Sequence, residues 1–126
     1  MGNQFSDTNL RTVISFDVIR RLAATLPGTV ETTSYGTPAI KVGKKLLLRL
    51  HQKEDAIVLM LDSVEEQQAL IERDPMTFYI TDHYQHYPAV LVRPTIDASE
   101  FTRLMERAWR SRATRRDITA YLQASQ

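Results

Sequence analysis

The sequence predicts an α+β domain, with an antiparallel five-stranded sheet, helices packed on one side, and the order α-β-β-β-α-β-β-α. Short apolar runs with a period of two alternate with longer stretches whose apolar residues recur at helical spacing. Most connections between the strands are too short for the helical crossovers of a parallel sheet. The chain has 126 residues, of which 43% are hydrophobic and 25% charged, as expected for one globular domain.

The first predicted element is a helix that begins after Ser15, because serine is a favourable N-cap. Its apolar residues recur every three or four positions, as on one face of an amphipathic helix, and they are Val18, Ile19, Leu22, Ala23 and Leu26. Pro27-Gly28 ends the helix. We expect residues 1–14 to be a flexible leader and residues 15–122 to form a single domain.

Three strands are predicted between residues 38 and 61, after a polar stretch. Apolar residues alternate along the first two strands, and they are Ile40, Val42, Leu46, Leu48 and Leu50. A three-residue loop over residues 43–45 places all five on one face, whereas a two-residue loop divides them between both faces, so the sequence favours the longer loop. The third strand, residues 56–61, is apolar throughout, which indicates a central strand covered on both faces.

A second helix and two more strands are predicted after this hairpin. Ser63 and Glu66 have the spacing of a capping box, and the helix that they open ends before Asp74-Pro75. Residues 76–80 and 89–93 predict two strands joined by an aromatic loop.

Asp97 is the predicted N-cap of the last long helix, and residues 114–122 predict a short terminal helix. The matching periodicities of the strands and helices predict one buried core. Its members are Leu46, Leu48, Ile57, Leu59, Phe101, Leu104 and Met105.

The composition excludes several classes of site. The chain has no cysteine, so disulfides, thiolate metal ligands and a cysteine nucleophile are ruled out. No apolar stretch reaches the roughly 18 residues that span a membrane, and the N-terminus lacks the order of a signal peptide, so we expect no membrane contact and a cytoplasmic protein. Because no glycine-rich phosphate loop, nucleophile elbow or HExxH sequence occurs, we expect no cofactor and no catalytic residue.

The loop over residues 82–88 holds the densest group of functional side chains. Asp82, His83 and His86 are candidate metal ligands, and His83 is a candidate general base. His51 completes a metal site only if the fold brings it near. The spacing His-x-x-His on a loop is weak evidence for a metal, and we expect none.

Tyr84 and Tyr87 of the same loop predict packing at the end of the sheet, with their hydroxyls hydrogen-bonded. A ligand-binding pocket is the alternative. Its candidate residues are Tyr35, His83, Tyr84, Tyr87 and Trp109. Trp109 also lies on the apolar face of its helix, a position that favours a role in the core.

The net charge of +1 conceals an uneven distribution. Residues 41–53 carry five bases and no acid, residues 54–82 carry eight acids and one base, and residues 83–126 carry seven arginines and four acids. The two basic segments are candidates for contact with nucleic-acid phosphates. They contain Lys41, Lys44, Lys45 and Arg49 in the hairpin, and Arg107, Arg110, Arg112, Arg115 and Arg116 near the C-terminus. Alternatively, the lysines keep an exposed strand soluble and the arginines pair with the acidic segment.

Several short sequences occur together in one order. They are Ser34-Tyr35-Gly36-Thr37-Pro38-Ala39, Gly43-Lys44-Lys45-Leu46, residues 78–88 with His83-Tyr84 and Tyr87-Pro88, Val90-Leu91-Val92, and Ala108-Trp109. With these sequences, residues 15–122 resemble the MmcQ/YjbR-like family. The resemblance implies a compact α/β domain similar in topology to type III secretion chaperones. Family members are usually labelled DNA-binding, from a proposed double-wing arrangement of hairpins, and no established catalytic residues come with the family.

The sequence therefore predicts first a non-catalytic binding protein, which binds duplex DNA weakly and without sequence preference through the two basic segments. The alternative is a small-molecule or protein-binding domain that uses the region of Tyr35, His83, Tyr84 and Tyr87. An enzyme of uncharacterised activity is third. If the two basic segments fall on one face of the domain, DNA is favoured, and if they fall apart, it is not.

Overall fold

A computed structural model describes residues 13–125, in which helices and strands alternate along the chain. The helices are α1 (Phe16–Ala23), α2 (Val64–Arg73), α3 (Ala98–Arg110) and α4 (Arg115–Ala124). The strands are β1 (Thr29–Ser34), β2 (Thr37–Val42), β3 (Lys45–Leu50), β4 (Ile57–Met60), β5 (Phe78–Tyr79) and β6 (Ala89–Val92), and a 3-10 turn covers Asp82–Tyr84. The sheet order is β1-β2-β3-β4-β6-β5, with every neighbouring pair antiparallel.

The antiparallel α+β architecture agrees with the prediction, but the sheet has six strands rather than five. The additional strand is β1, which pairs along its whole length with β2 and forms an edge of the sheet. Val30 is its one large apolar residue, and it is 54% exposed. Because the strand buries little apolar surface, its sequence lacks the alternation by which the other strands are predicted.

The predicted leader, residues 1–14, lies outside the described residues except for its last two positions. Ile14 is buried in the core, and its N–H donates a hydrogen bond to the Pro94 carbonyl at 2.7 Å. Between residues 13 and 125, no helix has the length and the apolar character needed to cross a membrane.

The predicted helix starts are confirmed. The side chains of Ser15, Ser63 and Asp97 each accept a hydrogen bond from the backbone N–H three residues later, over 3.1–3.3 Å. A fourth helix start has a full capping box, in which Thr114 and Asp117 each accept from the backbone N–H of the other. These caps are local, so the sequence alone places them correctly.

The turn between β2 and β3 is shorter than predicted. Val42 pairs with Lys45, which leaves a two-residue turn of Gly43 and Lys44. Gly43 has a φ of 59°, in the left-handed region that glycine adopts without strain. A glycine in the first turn position is typical of tight hairpins.

A β-bulge compensates for the short turn. Lys41 pairs with Leu46, but Ile40 pairs with Leu48, so Leu47 is an extra residue in β3. Leu47 and Leu48 are both fully buried in the core, whereas Leu46 is only partly buried and lies on the other face. The prediction of a three-residue loop is therefore wrong, because a bulge changes the face of a strand and leaves no mark in the alternation pattern.

The main core lies between the sheet and the helices. Five of the predicted core residues are fully buried there, namely Leu48, Ile57, Leu59, Phe101 and Met105. Leu104 is partly buried against this cluster, and α1, α2 and α3 all contribute buried residues to it. The assignment of Leu46 to this core is wrong, since the bulge turns its side chain away.

The bulge predicts different effects for two leucines of one strand. Leu48→Ala should lower the free energy of unfolding by about 3 kcal/mol, because it leaves a cavity in the core. Leu46→Ala should lower it by only about 1 kcal/mol, because the side chain is partly exposed. Urea denaturation of both variants measures the difference. Equal losses would contradict the observed register.

The second face of the sheet carries a smaller apolar cluster, which is covered by the loop over residues 81–88. The cross-strand neighbours Arg49, Val58, Leu91 and Tyr79 form one row across this face. Val58 and Leu91 are buried under Tyr84 of the loop. The loop leaves the β2–β3 side of this face uncovered, and we call that area the open face.

Candidate functional site

Two adjoining clefts of about 380 and about 430 Å³ lie on the open face. They share four lining residues, Tyr35, Arg49, His83 and Tyr84, and together we call them the open-face cleft. One end is formed by residues 51–54, and the other includes Lys41 and Lys44 of the hairpin. The cleft therefore contains three of the five predicted pocket residues at its centre.

Arg49 is the central residue of this site. It is only 5% exposed, although it lies in the row of β3 residues that faces the cleft. Its Nη2 donates to the Tyr84 hydroxyl at 2.7 Å, and its Nη1 donates to Gln52 Oε1 at 2.9 Å and to the Leu50 carbonyl at 3.2 Å. All three acceptors are uncharged. The sequence predicts Arg49 as an exposed phosphate contact, whereas the structure buries it behind aromatic side chains.

Tyr35 covers the Arg49 guanidinium and remains 77% exposed. The guanidinium carbon lies 4.8 Å from the centre of the Tyr35 ring, which is a cation–π distance. Tyr35 and Gly36 form the β1–β2 turn with φ values of 54° and 77°, the combination found in type I′ turns. Tyrosine is strained in this region, where asparagine, aspartate and glycine are usual, and such strain tends to occur at functional sites.

Gln67 of α2 fixes the loop that forms the far wall of the site. It is 1% exposed, and its Nε2 lies 2.7–3.0 Å from the carbonyl oxygens of Tyr84, Tyr87 and Ala89. Gln67 is not among the residues that the sequence predicts for the site. Its burial could nevertheless have been predicted from the sequence. Gln67 lies three residues after Val64 and three before Leu70, on the inward side of the helix.

Two histidines, His83 and His51, line the site. The His83 ring packs edge-on against Tyr84, with ring centres 4.9 Å apart. His51 Nδ1 accepts hydrogen bonds from the backbone N–H groups of Lys53 and Glu54 at 3.0 and 2.9 Å. Burial, followed by the charge of Arg49, lowers the pKa of His51, so the ring is neutral at neutral pH.

The described part of the chain gathers no group of three or more histidine, aspartate and glutamate side chains that could hold a metal ion. Among the candidate ligands, Asp82 and His86 do not line the cleft with His51 and His83. His86 instead lines a separate depression beside α2.

Tyr87 and Trp109 complete the list of predicted pocket residues. Tyr87 is 47% exposed and lines the Lys41 end of the cleft. Trp109 is fully buried in the main core, on the other side of the sheet, and its Nε1 donates to the Pro27 carbonyl at 2.8 Å. Trp109 therefore does not belong to the cleft.

The C-terminal arginines divide into three groups. Arg107 and Arg110 lie 3.4 and 3.1 Å from the carboxylates of Glu66 and Glu106. Arg112 joins elements of the fold, because its Nε and Nη2 donate to the carbonyls of Leu46 and Leu61 at 3.2 Å and its Nη1 to the Ala108 carbonyl at 2.9 Å. Arg115 and Arg116, in the first turn of α4, are exposed.

The hairpin tip meets the start of α4. Lys44 and Lys45 line a third cleft, of about 300 Å³, together with Arg112, Thr114 and Asp117. Lys44 also lines the open-face cleft, so the two sites are contiguous. Lys44 and Lys45 line this cleft, and the exposed Arg115 and Arg116 directly follow its Thr114 in the chain; we call these four residues the tip surface.

Comparisons with known proteins give a consistent result. The YjbR family model matches residues 24–111. Two uncharacterized proteins, Rv2570 of Mycobacterium tuberculosis and Mb2600 of Mycobacterium bovis, are 28% identical to this chain, over 86% of its length and 95% of theirs. The crystal structure of Deinococcus radiodurans protein DR2400, a DUF419 domain, superposes with a TM-score of 0.67 at 18% identity, over 86% of this chain and 88% of that one. At that identity the likeness shows the fold alone.

Proposed function

The chain belongs to the YjbR family, and we propose that it is a non-catalytic protein that binds duplex DNA weakly through the tip surface. One observation carries the proposal. Lys44 and Lys45 of the hairpin lie beside the start of α4, although some 70 residues of chain separate them. The hairpin lysines thus adjoin the start of α4, where Arg115 and Arg116 follow, and this proximity supports DNA binding.

The charges of the tip surface are available to a partner. Lys44, Lys45, Arg115 and Arg116 are all exposed, and none of them forms an ion pair with another described residue. Asp117, the acid of this cleft, caps the backbone of α4. Arg107, Arg110 and Arg112 have partners within the chain, so we leave them out of the surface and expect fewer phosphate contacts than the sequence predicts.

Binding at this surface should not depend on DNA sequence. Lysine and arginine side chains on a turn and a helix start reach phosphates, and phosphate contacts carry no base information. The tip surface has no asparagine or glutamine that could read a base edge beside its arginines. Affinity should therefore depend mainly on the number of phosphates neutralised.

We expect the double variant Lys44→Ala, Lys45→Ala to bind a labelled duplex more weakly, by a similar factor for every sequence. The slope of log affinity against log salt should become shallower by about 2, because each lost phosphate contact removes about 0.9. Fluorescence anisotropy between about 50 and 200 mM salt measures both quantities.

Arg21→Ala, Arg103→Ala is the matched control, since both arginines are exposed and neither lines the tip cleft. It removes the same charge and should leave the salt slope within about 0.5 of the original. An equal effect of both double variants, or no saturable binding at about 100 µM protein, would count against the proposal.

A second candidate function is the binding of a small molecule in the open-face cleft. It is favoured by the convergence of Tyr35, His83 and Tyr84 around a buried arginine. The two parts of the cleft, about 380 and about 430 Å³, fall in the range of small-molecule sites. This function shares only Lys44 with the tip surface, so variants at Arg49 and Tyr35, which the tip cleft does not include, test it separately.

A further inference from the structure

Arg49 carries a positive charge into a nearly buried position without an acidic partner. None of the ion pairs among the described residues involves it. Glu54, the carboxylate that lines the cleft, instead accepts a hydrogen bond from the Tyr79 hydroxyl at 2.8 Å. A buried charge without a counter-charge destabilises a fold, and proteins usually pair it.

Two N–H donors of the Arg49 guanidinium are not hydrogen-bonded to the described residues. Its hydrogen bonds to Leu50, Gln52 and Tyr84 use both N–H groups of Nη1 and one of Nη2. Arginine has five N–H donors, so the Nε donor and one Nη2 donor have no acceptor within the described residues. Among the described residues no fully buried side-chain nitrogen or oxygen lacks a partner, so the Nε donor keeps some contact with solvent, and the surface that Arg49 lines is the open-face cleft.

Nε and Nη2 lie along one edge of the guanidinium, the edge that holds a carboxylate or phosphate with two parallel hydrogen bonds. Arg20 of the same chain binds Glu31 in this way, with Nε and Nη2 at 2.8 and 2.9 Å from the two carboxylate oxygens. In Arg49 the corresponding edge has no carboxylate. The Tyr84 hydroxyl accepts from Nη2, the outer atom of this edge, and the Tyr35 ring covers the guanidinium, so both hold the group in place while Nε and the second Nη2 donor remain for a ligand.

We propose that the open-face cleft binds a small organic oxyanion, a carboxylate or a phosphate attached to a flat apolar group, and that Arg49 holds the oxyanion. The inference rests on the second candidate function, and it shares only Lys44 with the proposed DNA surface. The rings of Tyr35, His83 and Tyr84 provide the surface for the flat group. Lys41 and Lys44 at one end of the cleft add long-range attraction for an anion.

The test is an NMR titration with three ring-bearing probes and one plain ion. It follows the Arg49 Nε–H resonance and, so that Arg49→Lys can be measured too, the backbone amide resonances of the cleft residues. Phenyl phosphate and benzoate carry the two oxyanions on an aromatic ring, phenol carries the ring without the charge, and inorganic phosphate carries the charge without the ring. We expect both ring-bearing anions to saturate with dissociation constants on the order of 1 mM, as suits about ten non-hydrogen atoms. Phenol and inorganic phosphate should bind at least about tenfold more weakly.

Three variants locate the binding. Arg49→Lys should weaken phenyl phosphate about tenfold, because an ammonium cannot make the paired contact. Tyr35→Ala should weaken it by roughly threefold to tenfold, and this exposed residue can be replaced without unfolding the domain, so the test holds even if Arg49→Lys is unstable. Arg21→Lys on α1 is the matched control and should change nothing.

The contrary outcomes of the titration would each overturn the inference in a different way. If the anions bind Arg49→Lys as tightly as the original protein, or if phenol binds as well as phenyl phosphate, the cleft binds ligands but Arg49 holds no oxyanion. If no probe binds, both the inference and the small-molecule function fail, and DNA binding at the tip surface is unaffected. The ratio of phenyl phosphate to benzoate affinity identifies which oxyanion the cleft prefers.

Discussion

Replacing Trp109 by alanine should lower the free energy of unfolding by about 3–5 kcal/mol. The side chain is fully buried and is the largest in the core. Its ring centre lies 5.0 Å from that of Tyr121 in α4, and its Nε1 donates to the Pro27 carbonyl after α1. Trp109 in α3 thus contacts both α4 and the turn after α1, and its removal leaves both a cavity and an unpaired carbonyl.

This loss is large for a domain whose total stability is expected to be about 5–15 kcal/mol. Urea or thermal denaturation followed by far-UV circular dichroism measures it. Trp109→Phe should be milder, at about 1–3 kcal/mol, because the ring remains and the hydrogen bond is lost. Tyr35→Ala is the exposed control and should cost under about 1 kcal/mol. If Trp109→Ala and Tyr35→Ala had similar effects, the opposite placement of the two aromatic residues would be wrong.

Gln67→Glu should destabilise the domain at neutral pH by about 3–5 kcal/mol, the effect of an uncompensated buried charge. The amide Nε2 donates toward three carbonyl oxygens in a site that is 1% exposed. A carboxylate of the same shape would place negative charge against the same three oxygens. Gln67→Met is the uncharged control, and it should cost about 1–3 kcal/mol because two of the carbonyls, those of Tyr84 and Tyr87, keep a backbone donor.

The pH dependence separates the charge from the lost hydrogen bonds. Burial among carbonyl oxygens raises the pKa of the new carboxyl in the folded state above the unfolded value of about 4.3. The folded state then holds more protons, so stability relative to the original protein declines as pH rises from about 4 towards the folded pKa. Near pH 4 the variant should approach Gln67→Met. A pH-independent difference between the two variants would show that the site is open to water.

The sequence by itself determined the features that depend on neighbouring residues. The N-caps Ser15, Ser63 and Asp97 are where the sequence predicts them, because a cap needs only one side chain and the N–H three residues later. The buried strands β4 and β6 were also predictable, because strands covered on both faces are apolar at every position. The family followed from short sequences in a fixed order, and the family model supports it.

Other features had only weak local evidence. Strand β1 is polar because it is an edge strand. It is held in the sheet by its backbone pairing with β2 rather than by burial of its own side chains. For the turn after β2, the alternation of apolar residues predicted a loop of three residues, because that pattern assumes a regular strand without a bulge. The bulge at Leu47 breaks that assumption, and it is stabilised by the burial of Leu47 and Leu48 together.

Only the tertiary structure decided which of the candidate residues meet. Residue types predicted Tyr35, His83 and Tyr84 as pocket residues. They equally predicted Trp109 for the pocket and Arg112 for a phosphate contact, but Trp109 lies in the core and Arg112 binds backbone carbonyls. Arg49 and Tyr84 are 35 positions apart, and Arg112 and Leu46 are 66 apart. Periodicity reports which face of an element is apolar, whereas the partner of a polar side chain depends on register and on the packing of distant segments. The site therefore emerges from long-range contacts that a local pattern does not encode.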